Sequence, residues 1–575
     1  MRVRDELGST YEYAYDANNC MESMVHTCGT HTMKTVYTYD KDSRETKTRC
    51  AKTFERTTEY DKFGRVSRRT WNTASPYISA YTYIDKGENR YSLPKTVKNG
   101  SETLNYTYDA NGNIISIKDS AGESTFRYDE LNQLIRENNH QLNKTITYAY
   151  DLGGNLTVEK EYAFTTTETL PDTPVKTMTG TYDSAWKDKL LSWDGTAMTY
   201  DAIGNMLTRG GTTYTWTQGR RLSGVENGKS IKYLYDHTGA RVKKTVDNTV
   251  TEYQWAGDLL LSEKTDGRII WYCYDSQANL ISVTIRGITY FYVRNVQGDI
   301  IALVDADGKV VVKYTYDSWG KVVAVTGELA DTVGVQNPFR YKGYYYDNET
   351  GMYYLKSRYY DAEIKRFICM DKYFMTNRGM NKSNMLVYCE NNPINRVDMF
   401  GTCWYDAKGN WRHDNWEYKG NYKRQPKPAG KPNINITYKL NKTMRNNAEE
   451  LRNYRKENGY ASAVGYFISK VKTGGDWDFK NQKSWNLNRD FSYTYKNETL
   501  RFDDIGNIHY GYVGRELFGV GMLVAGGGAY QIKTDYPNIQ WNHFWSLFDD
   551  PQDQWMVIFG STLWDADMDN SYYKF

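Results

Sequence analysis

The stretch Tyr106-Thr-Tyr-Asp-Ala-Asn-Gly-Asn-Ile114 decides how the first 336 residues are read. Side chains alternate along a strand, so two tyrosines one residue apart share a face. The aspartate can accept from the amides that follow it and start a turn, and the glycine supplies the positive φ that the turn needs. Copies recur at Tyr37-Thr-Tyr-Asp40, Tyr60-Asp-Lys-Phe-Gly-Arg65, Tyr128-Asp-Glu-Leu-Asn-Gln-Leu134 and Tyr148-Ala-Tyr-Asp-Leu-Gly-Gly-Asn-Leu156. Further copies stand at Tyr200-Asp-Ala-Ile-Gly-Asn-Met206, Tyr233-Leu-Tyr-Asp236 and Tyr314-Thr-Tyr-Asp317. Adjacent copies are about 20 to 22 residues apart, the period of a stacked supersecondary unit. One hairpin cannot bury its rings alone, but a stack of hairpins makes a continuous antiparallel sheet. Lys, Arg and Glu between the rings predict a second, solvated face. Regular recurrence is what a scaffold needs, whereas a catalytic site needs only one copy.

A different stretch ends the repeats. It contains Asn337-Pro-Phe-Arg-Tyr-Lys-Gly-Tyr-Tyr-Tyr-Asp347, Glu349-Thr-Gly351, Ser357-Arg-Tyr-Tyr-Asp361, Arg366-Phe-Ile and Asn391-Asn-Pro-Ile-Asn-Arg-Val-Asp398, and closes on Gly401. This order of residues resembles the RHS-repeat-associated core of the Rhs/YD-repeat family of polymorphic toxins, and the preceding units resemble the YD repeats of Rhs and teneurin proteins. The resemblance implies a spiralled, hollow β-shell followed directly by a variable C-terminal toxin. In several members an Asp-Pro-x-Gly-Leu motif at this border acts as an intramolecular aspartyl protease. Here Asp398 and Gly401 match, while Met399 and Thr402 depart from the pattern. An aspartyl mechanism also needs a second carboxylate sharing a proton, which the sequence does not identify. Asp398 reads equally as a turn cap before Gly401, and the balance is against efficient self-cleavage.

A chain of 575 residues with formal charge +3 is long enough for two or more domains, and no overall charge argues for nucleic acid or membrane. The 53 tyrosines suit strands with one packed and one wet face, since each ring keeps a polar tip. No apolar run is long enough for a transmembrane helix, and Met1-Arg-Val-Arg-Asp-Glu-Leu-Gly lacks a signal-peptide core. The chain therefore reads as a fragment of a longer protein or as a relative without a delivery module. Seven scattered cysteines do not form a disulfide framework, and Cys20, His26, Cys28 and His31 match no standard zinc spacing. They are expected to be ordinary surface or core residues.

Beyond the border, Asn421 to Pro432 is basic and proline-rich, as an extended linker would be. Met444, Ala448, Leu451 and Tyr454 recur at helical spacing, as do Val464, Phe467, Ile468 and Val471, before Gly474-Gly475. Gly475-Asp-Trp-Asp-Phe-Lys480, Phe502-Asp-Asp-Ile-Gly-Asn-Ile-His-Tyr-Gly511, Ala525-Gly-Gly-Gly528 and Asp549-Asp-Pro-Gln-Asp553 follow. In order and wording these resemble polymorphic toxin type 44, over roughly residues 433 to 562, and the resemblance implies a nuclease acting on RNA.

Metal-free RNA cleavage needs a base, an acid and a cation for the phosphate. Asp476, Asp478, Lys480, Asp504, Asn507 and His509 are the candidates, with Arg515 as a phosphate clamp. No cofactor is predicted, although Asp503, Asp504, Asp549, Asp550 and Asp553 could together hold a divalent metal. Each signal has a plain alternative: Gly506-Asn507 is a common hairpin turn, Asp549-Asp550-Pro551 a helix start, and Gly526 to Gly528 close packing.

The expected organisation is mainly β. Repeats occupy 1–336, the core 337–401, a linker 402–432 and a small α+β toxin domain 433–575. By family resemblance the protein is secreted or at the cell surface, paired with a cognate immunity protein and aimed at target-cell RNA. The rival readings are a surface adhesion or carbohydrate-binding protein, and a toxin of another enzymatic class.

Overall fold

The computed structural model describes residues 2–4, 9–18, 20–50, 54–84, 93–236, 238–371, 384–401, 404–405 and 411–412, then 433–471, 476–477, 485, 492–495, 498–500 and 504–517. Two compact units emerge, Met1–Tyr418 and Lys419–Phe575. In the first, 31 strands form one sheet running from Arg2–Arg4 to Val322–Thr326. Each strand pairs antiparallel with its neighbours in sequence, as stacked hairpins require.

Several repeat turns are built alike. Asp61 Oδ1 accepts from the amides of Phe63 (2.9 Å) and Arg65 (3.0 Å), while its Oδ2 accepts from the Arg65 side chain (2.7 Å). Asp129 does the same with Leu131, Gln133 and the Gln133 amide, and Asp201 with Ile203, Asn205 and the Asn205 amide. The fourth residue after the tyrosine takes positive φ, as at Gly64 (78°), Asn132 (61°) and Gly204 (84°). The Arg, Gln or Asn one place later is therefore a clamp on the turn carboxylate.

In many repeats the second tyrosine reaches sideways. Tyr60 donates its hydroxyl to the Glu45 carbonyl (2.7 Å), Tyr108 to Pro94 (2.6 Å), Tyr128 to Ile114 (2.7 Å) and Tyr150 to Leu134 (2.7 Å). Trp216 and Trp255 replace the tyrosine and donate their indole N–H to Met206 and Arg241. For Tyr60, Tyr128 and Tyr150 the acceptor lies just after the preceding turn. The first tyrosines Tyr106 and Tyr148 are buried in the apolar core, and Tyr37 is buried as well.

The sheet folds back on itself. Strands between residues 45 and 83 pack on strands between 268 and 304 through Phe54, Trp71 and Phe291. A disulfide joins Cys50 to Cys273 across 223 residues of sequence, with Cα atoms 6.2 Å apart. The cysteines still form no framework, but these two pair, because their proximity is created by curling of the sheet and leaves no trace in spacing. His26 and Cys28 are buried strand residues, His26 stacking on Tyr11 and meeting the edge of Trp271.

The core, residues 337–401, contributes a four-stranded sheet of its own: Tyr345–Asp347, Met352–Leu355, Arg358–Asp361 and Arg366–Phe367. It docks on the rim of the repeat turns. Each turn carries a bulge, seen for example where Tyr128 pairs with Leu134 and the register shifts. The amide just after the bulge then needs another acceptor. Ile114 N donates to Asn395 Oδ1 (2.7 Å), Met206 N to the Ile368 carbonyl (3.0 Å), Arg241 N to Tyr354 Oη (2.9 Å) and Ile300 N to the Arg340 carbonyl (3.1 Å).

Ion pairs fasten the same contact. Asp347, fully buried, meets Arg241 at 2.5 Å and Lys244 at 3.0 Å, Lys365 meets Glu159 at 2.6 Å, and Asp361 meets Arg209. The Arg241 guanidinium also lies over the rings of Tyr233, Tyr253, Tyr345 and Tyr354, at 4.5 to 5.3 Å. Burial alone would raise the Asp347 carboxyl, but Arg241 and Lys244 outweigh it and hold it below its usual value.

Asp317 behaves oppositely to the turn aspartate Asp40. Where Asp40 is held low by its Arg44 partner, burial pushes Asp317 up to about 7, against the pull of Lys365 and helped by Glu137 and Glu159. Burial also raises Glu137, which Tyr148, Ser318 and Asn139 surround. A carboxyl raised on folding binds its proton more readily in the native state, so its stabilising effect is full below the unfolded value near 3.8 and disappears as pH rises through about 7. The repeat unit is expected to lose on the order of 3 kcal/mol between pH 4 and 8 from this group. Asp317→Asn should flatten that slope in denaturant titrations run across the same pH range.

Candidate functional sites

At the border of the core, the Arg358 Nη2 atom stands 3.1 Å from Asp371 Oδ2 and 3.4 Å from Asp398 Oδ2. The guanidinium lies between the two carboxylates and pairs with both. Phe400 N donates to Asp398 Oδ1 (3.3 Å), the turn-capping contact, and the Ser357 hydroxyl donates to the carbonyls of Phe400 (2.6 Å) and Gly401 (2.9 Å). Asp371, the second carboxylate near Asp398, was not legible in the sequence, since a fold contact across 27 residues brings the two together.

The second unit is built on α1 (Thr437–Val471), broken at Gly459 (φ 79°), and α2 (Asp504–Gly514). A small sheet pairs Asn433–Asn435 parallel to Ser492–Tyr495, which pairs antiparallel with Glu498–Leu500. Leu440, Met444, Ala448 and Leu451 of α1 bury against Ile505, Ile508, Tyr512 and Val513 of α2. Arg452 and Arg455 tie the helices by bonding the Glu516 carboxylate and carbonyl. Gly506-Asn507 therefore lies inside a helix and is not a hairpin turn. The helical signal was present in Ile505, Ile508 and Tyr512, and burial of that face overrides the local turn preference.

His509 is fully buried in this core. Its Nε2 accepts from Asn447 Nδ2 (2.9 Å), and its ring meets Trp477 edge-on at 5.7 Å. Burial pushes its pKa down to about 3, so the ring is neutral at ordinary pH. Asp476 is exposed and paired with Lys470 at 2.7 Å. Asn507 and Arg515 are half-buried, and Asp504 begins α2. Asp478, Lys480, Asp503, Asp549, Asp550, Asp553 and Gly526 to Gly528 lie outside the described residues. Among the described residues no group of three or more His, Cys, Asp or Glu gathers to hold a metal.

One solvent-facing cluster was missed in the sequence. Lys470 Nζ sits 2.7 Å from Asp476 and 3.5 Å from Glu450, Tyr466 donates to Glu450, and Lys470 lies over the rings of Tyr466 and Trp477. Two carboxylates, a phenol and an ammonium meet there, the types that proton transfer beside a phosphate employs. Helical spacing between Glu450 and Tyr466 does not show the contact, because the break at Gly459 folds the two arms of α1 together.

Comparison with known families gives a match to the teneurin YD-shell over residues 13–170 and 172–394. The chain belongs to the teneurin YD-shell family. Residues 466–566 match the family described as Bacterial toxin 44. Among curated proteins, the tRNA3(Ser)-specific nuclease WapA of Bacillus spizizenii is 32% identical over 55% of this chain, and the tRNA nuclease WapA of Bacillus subtilis is 33% identical over 58%. The double-stranded DNA deaminase toxin A of Burkholderia cenocepacia is 26% identical over 61% of this chain and 25% of its own length. The chain spans about one-sixth (16%) of the length of each of the two WapA relatives. A solved complex, TcdB2-TccC3-Cdc42, matches at TM-score 0.49 and 18% identity, covering 69% of this chain and 23% of that one. YD-shell membership agrees with the stacked hairpins, and no described helix is long and apolar enough to cross a membrane.

A histidine lowered on folding stabilises the native state above its unfolded value near 6.5 and loses that contribution as pH falls toward about 3. The C-terminal unfolding transition is therefore expected to move to lower temperature on acidification below pH 6. His509→Gln should reduce that pH dependence, as read by thermal unfolding at pH 4 to 7.

Proposed function

We propose that this YD-shell protein is a polymorphic toxin whose C-terminal unit cleaves RNA in a competing cell. The observation that supports it most is the order of matches in one chain: a YD-shell ending at residue 394, then a Bacterial toxin 44 region from residue 466. The tRNA-nuclease names of the two WapA relatives support RNA as the substrate class. A chain with this cargo calls for a cognate immunity protein in the producing cell. The Cys50–Cys273 disulfide supports a secreted or surface location, since such bonds persist in oxidising compartments.

The adhesion reading needs tyrosine rings facing solvent as sugar platforms. The structure uses many of them otherwise: the rings of Tyr37, Tyr106 and Tyr148 are buried, and the hydroxyls of Tyr108, Tyr128 and Tyr150 are bonded to neighbouring carbonyls. For the cleavage chemistry, the neutral core position of His509 leaves Asp476, Asp478, Lys480, Asp504 and Asn507 as the stronger candidates. A divalent metal, if used, would be held by the carboxylates at Asp503, Asp504, Asp549, Asp550 and Asp553.

Inducible expression of residues 419–575 in a bacterial cytoplasm, followed by growth and total-RNA integrity, tests the reading. Growth arrest with degraded RNA is expected, relieved by Asp478→Ala; chelation of the purified unit then reports metal dependence. Arrest with intact RNA would keep the toxin and remove the nuclease, and normal growth of cells holding the folded unit would contradict both.

A further inference from the structure

We propose that the Cys50–Cys273 disulfide is a redox-operated clasp on the shell: oxidised, it holds the first repeats against the strands of residues 268–304, and thiol reductants release them. The bond joins strand Glu45–Cys50 to strand Arg268–Tyr274 and is the one disulfide among the described residues. Both sulfurs lie in an apolar cluster with Trp71, Phe291, Val293 and Val304, the cluster that separates the two layers.

Across this seam the sheet is not continuous. Within each layer the strands are stitched by ladder hydrogen bonds, but between the layers the described contacts are rings, a few side-chain bonds and one ionic cluster. Tyr37 donates to the Tyr274 carbonyl (3.1 Å), and the Arg56 guanidinium bridges Glu45 and Asp275, each at 3.0 Å. Ser276 N donates to Glu45 (2.6 Å), and the loop at Ala74 bonds the Ala306 carbonyl (2.9 Å). A covalent link closing 223 residues removes more freedom from the opened chain than any of these contacts. It is therefore the component whose loss changes the seam most.

The chemistry is ordinary thiol–disulfide exchange. A reductant thiolate attacks one sulfur, the Cys50–Cys273 bond breaks, and the released thiolate takes a proton. A second reductant thiol resolves the mixed disulfide, leaving two cysteine thiols and one oxidised dithiol or two joined monothiols. Cys50 and Cys273 are 3% and 2% exposed, so attack waits on local opening and the closed shell resists brief contact with thiols. Once both thiols form, the seam is held by non-covalent contacts alone. That this would keep a toxin shell shut outside cells and loosen it in a thiol-rich cytoplasm rests on the toxin reading; the opening itself does not.

The full-length chain, purified without reductant, tests the clasp. Alkylation under denaturing conditions and intact mass should give two fewer adducts before treatment with dithiothreitol than after. Limited proteolysis of native protein should then cut within residues 9–84 about tenfold faster after reduction. Cys50→Ser with Cys273→Ser should be cut at the fast rate whether or not dithiothreitol is present. Equal adduct counts would overturn the proposal. So would an unchanged cleavage rate in wild-type protein shown by mass to be reduced, a comparison that stands even if the double variant fails to fold.

Discussion

A bulge at the end of each repeat turn takes one backbone amide off the strand ladder, and at the rim of this sheet those amides are covered by protein. A covered N–H without an acceptor costs about 1–3 kcal/mol, so a stack of such turns needs a partner along its length. The core after the repeats supplies it, through Asn395, the Ile368 and Arg340 carbonyls and the Tyr354 hydroxyl. The ion pairs of Asp347, Asp361 and Lys365 lie along the same contact and fix its register. Repeats and core are therefore one folding problem, in which the sheet makes the rim and the core satisfies it.

The tyrosines solve a second problem, that of joining hairpins whose sequences vary. The ring fills the core, while the hydroxyl donates to a backbone carbonyl, an acceptor that every residue type offers. Replacement by Trp216 and Trp255, which donate from an indole, shows that the requirement is an aromatic ring with a donor at its far end. Phenylalanine would fill the same space and leave the carbonyl without its bond.

What could be read in the sequence was local or periodic. The Tyr-x-Tyr-Asp unit, the change of texture at Asn337 and the two helical arms of α1 all declare themselves within a few residues. The turn clamp at the fourth residue after several of the aspartates is an Arg, Gln or Asn, and its role emerged only with contacts such as Asp61 Oδ2 on the Arg65 side chain. The Cys50–Cys273 bond and the Asp371–Arg358–Asp398 group depend on chain segments brought together by folding, and spacing carries no sign of them. At the cargo, His509 was a candidate because its residue type suits acid–base chemistry; three-dimensional packing places it beside Trp477 in the core. The Glu450–Tyr466–Lys470–Asp476 cluster was hidden for the opposite reason, since a glycine break inside a helix brings distant positions to one face.

The core holds the whole rim and not only the residues it touches at each point. Hydrogen exchange read by mass spectrometry on wild-type protein and on Asp347→Ala tests it most directly. Removing one partner of a buried ion pair costs about 3–5 kcal/mol, so the amides of Ile114, Met206, Arg241 and Ile300 should exchange together at least about a hundredfold faster in the variant. Faster exchange confined to Arg241 and its neighbours, with Ile114 and Ile300 unchanged, would contradict the account.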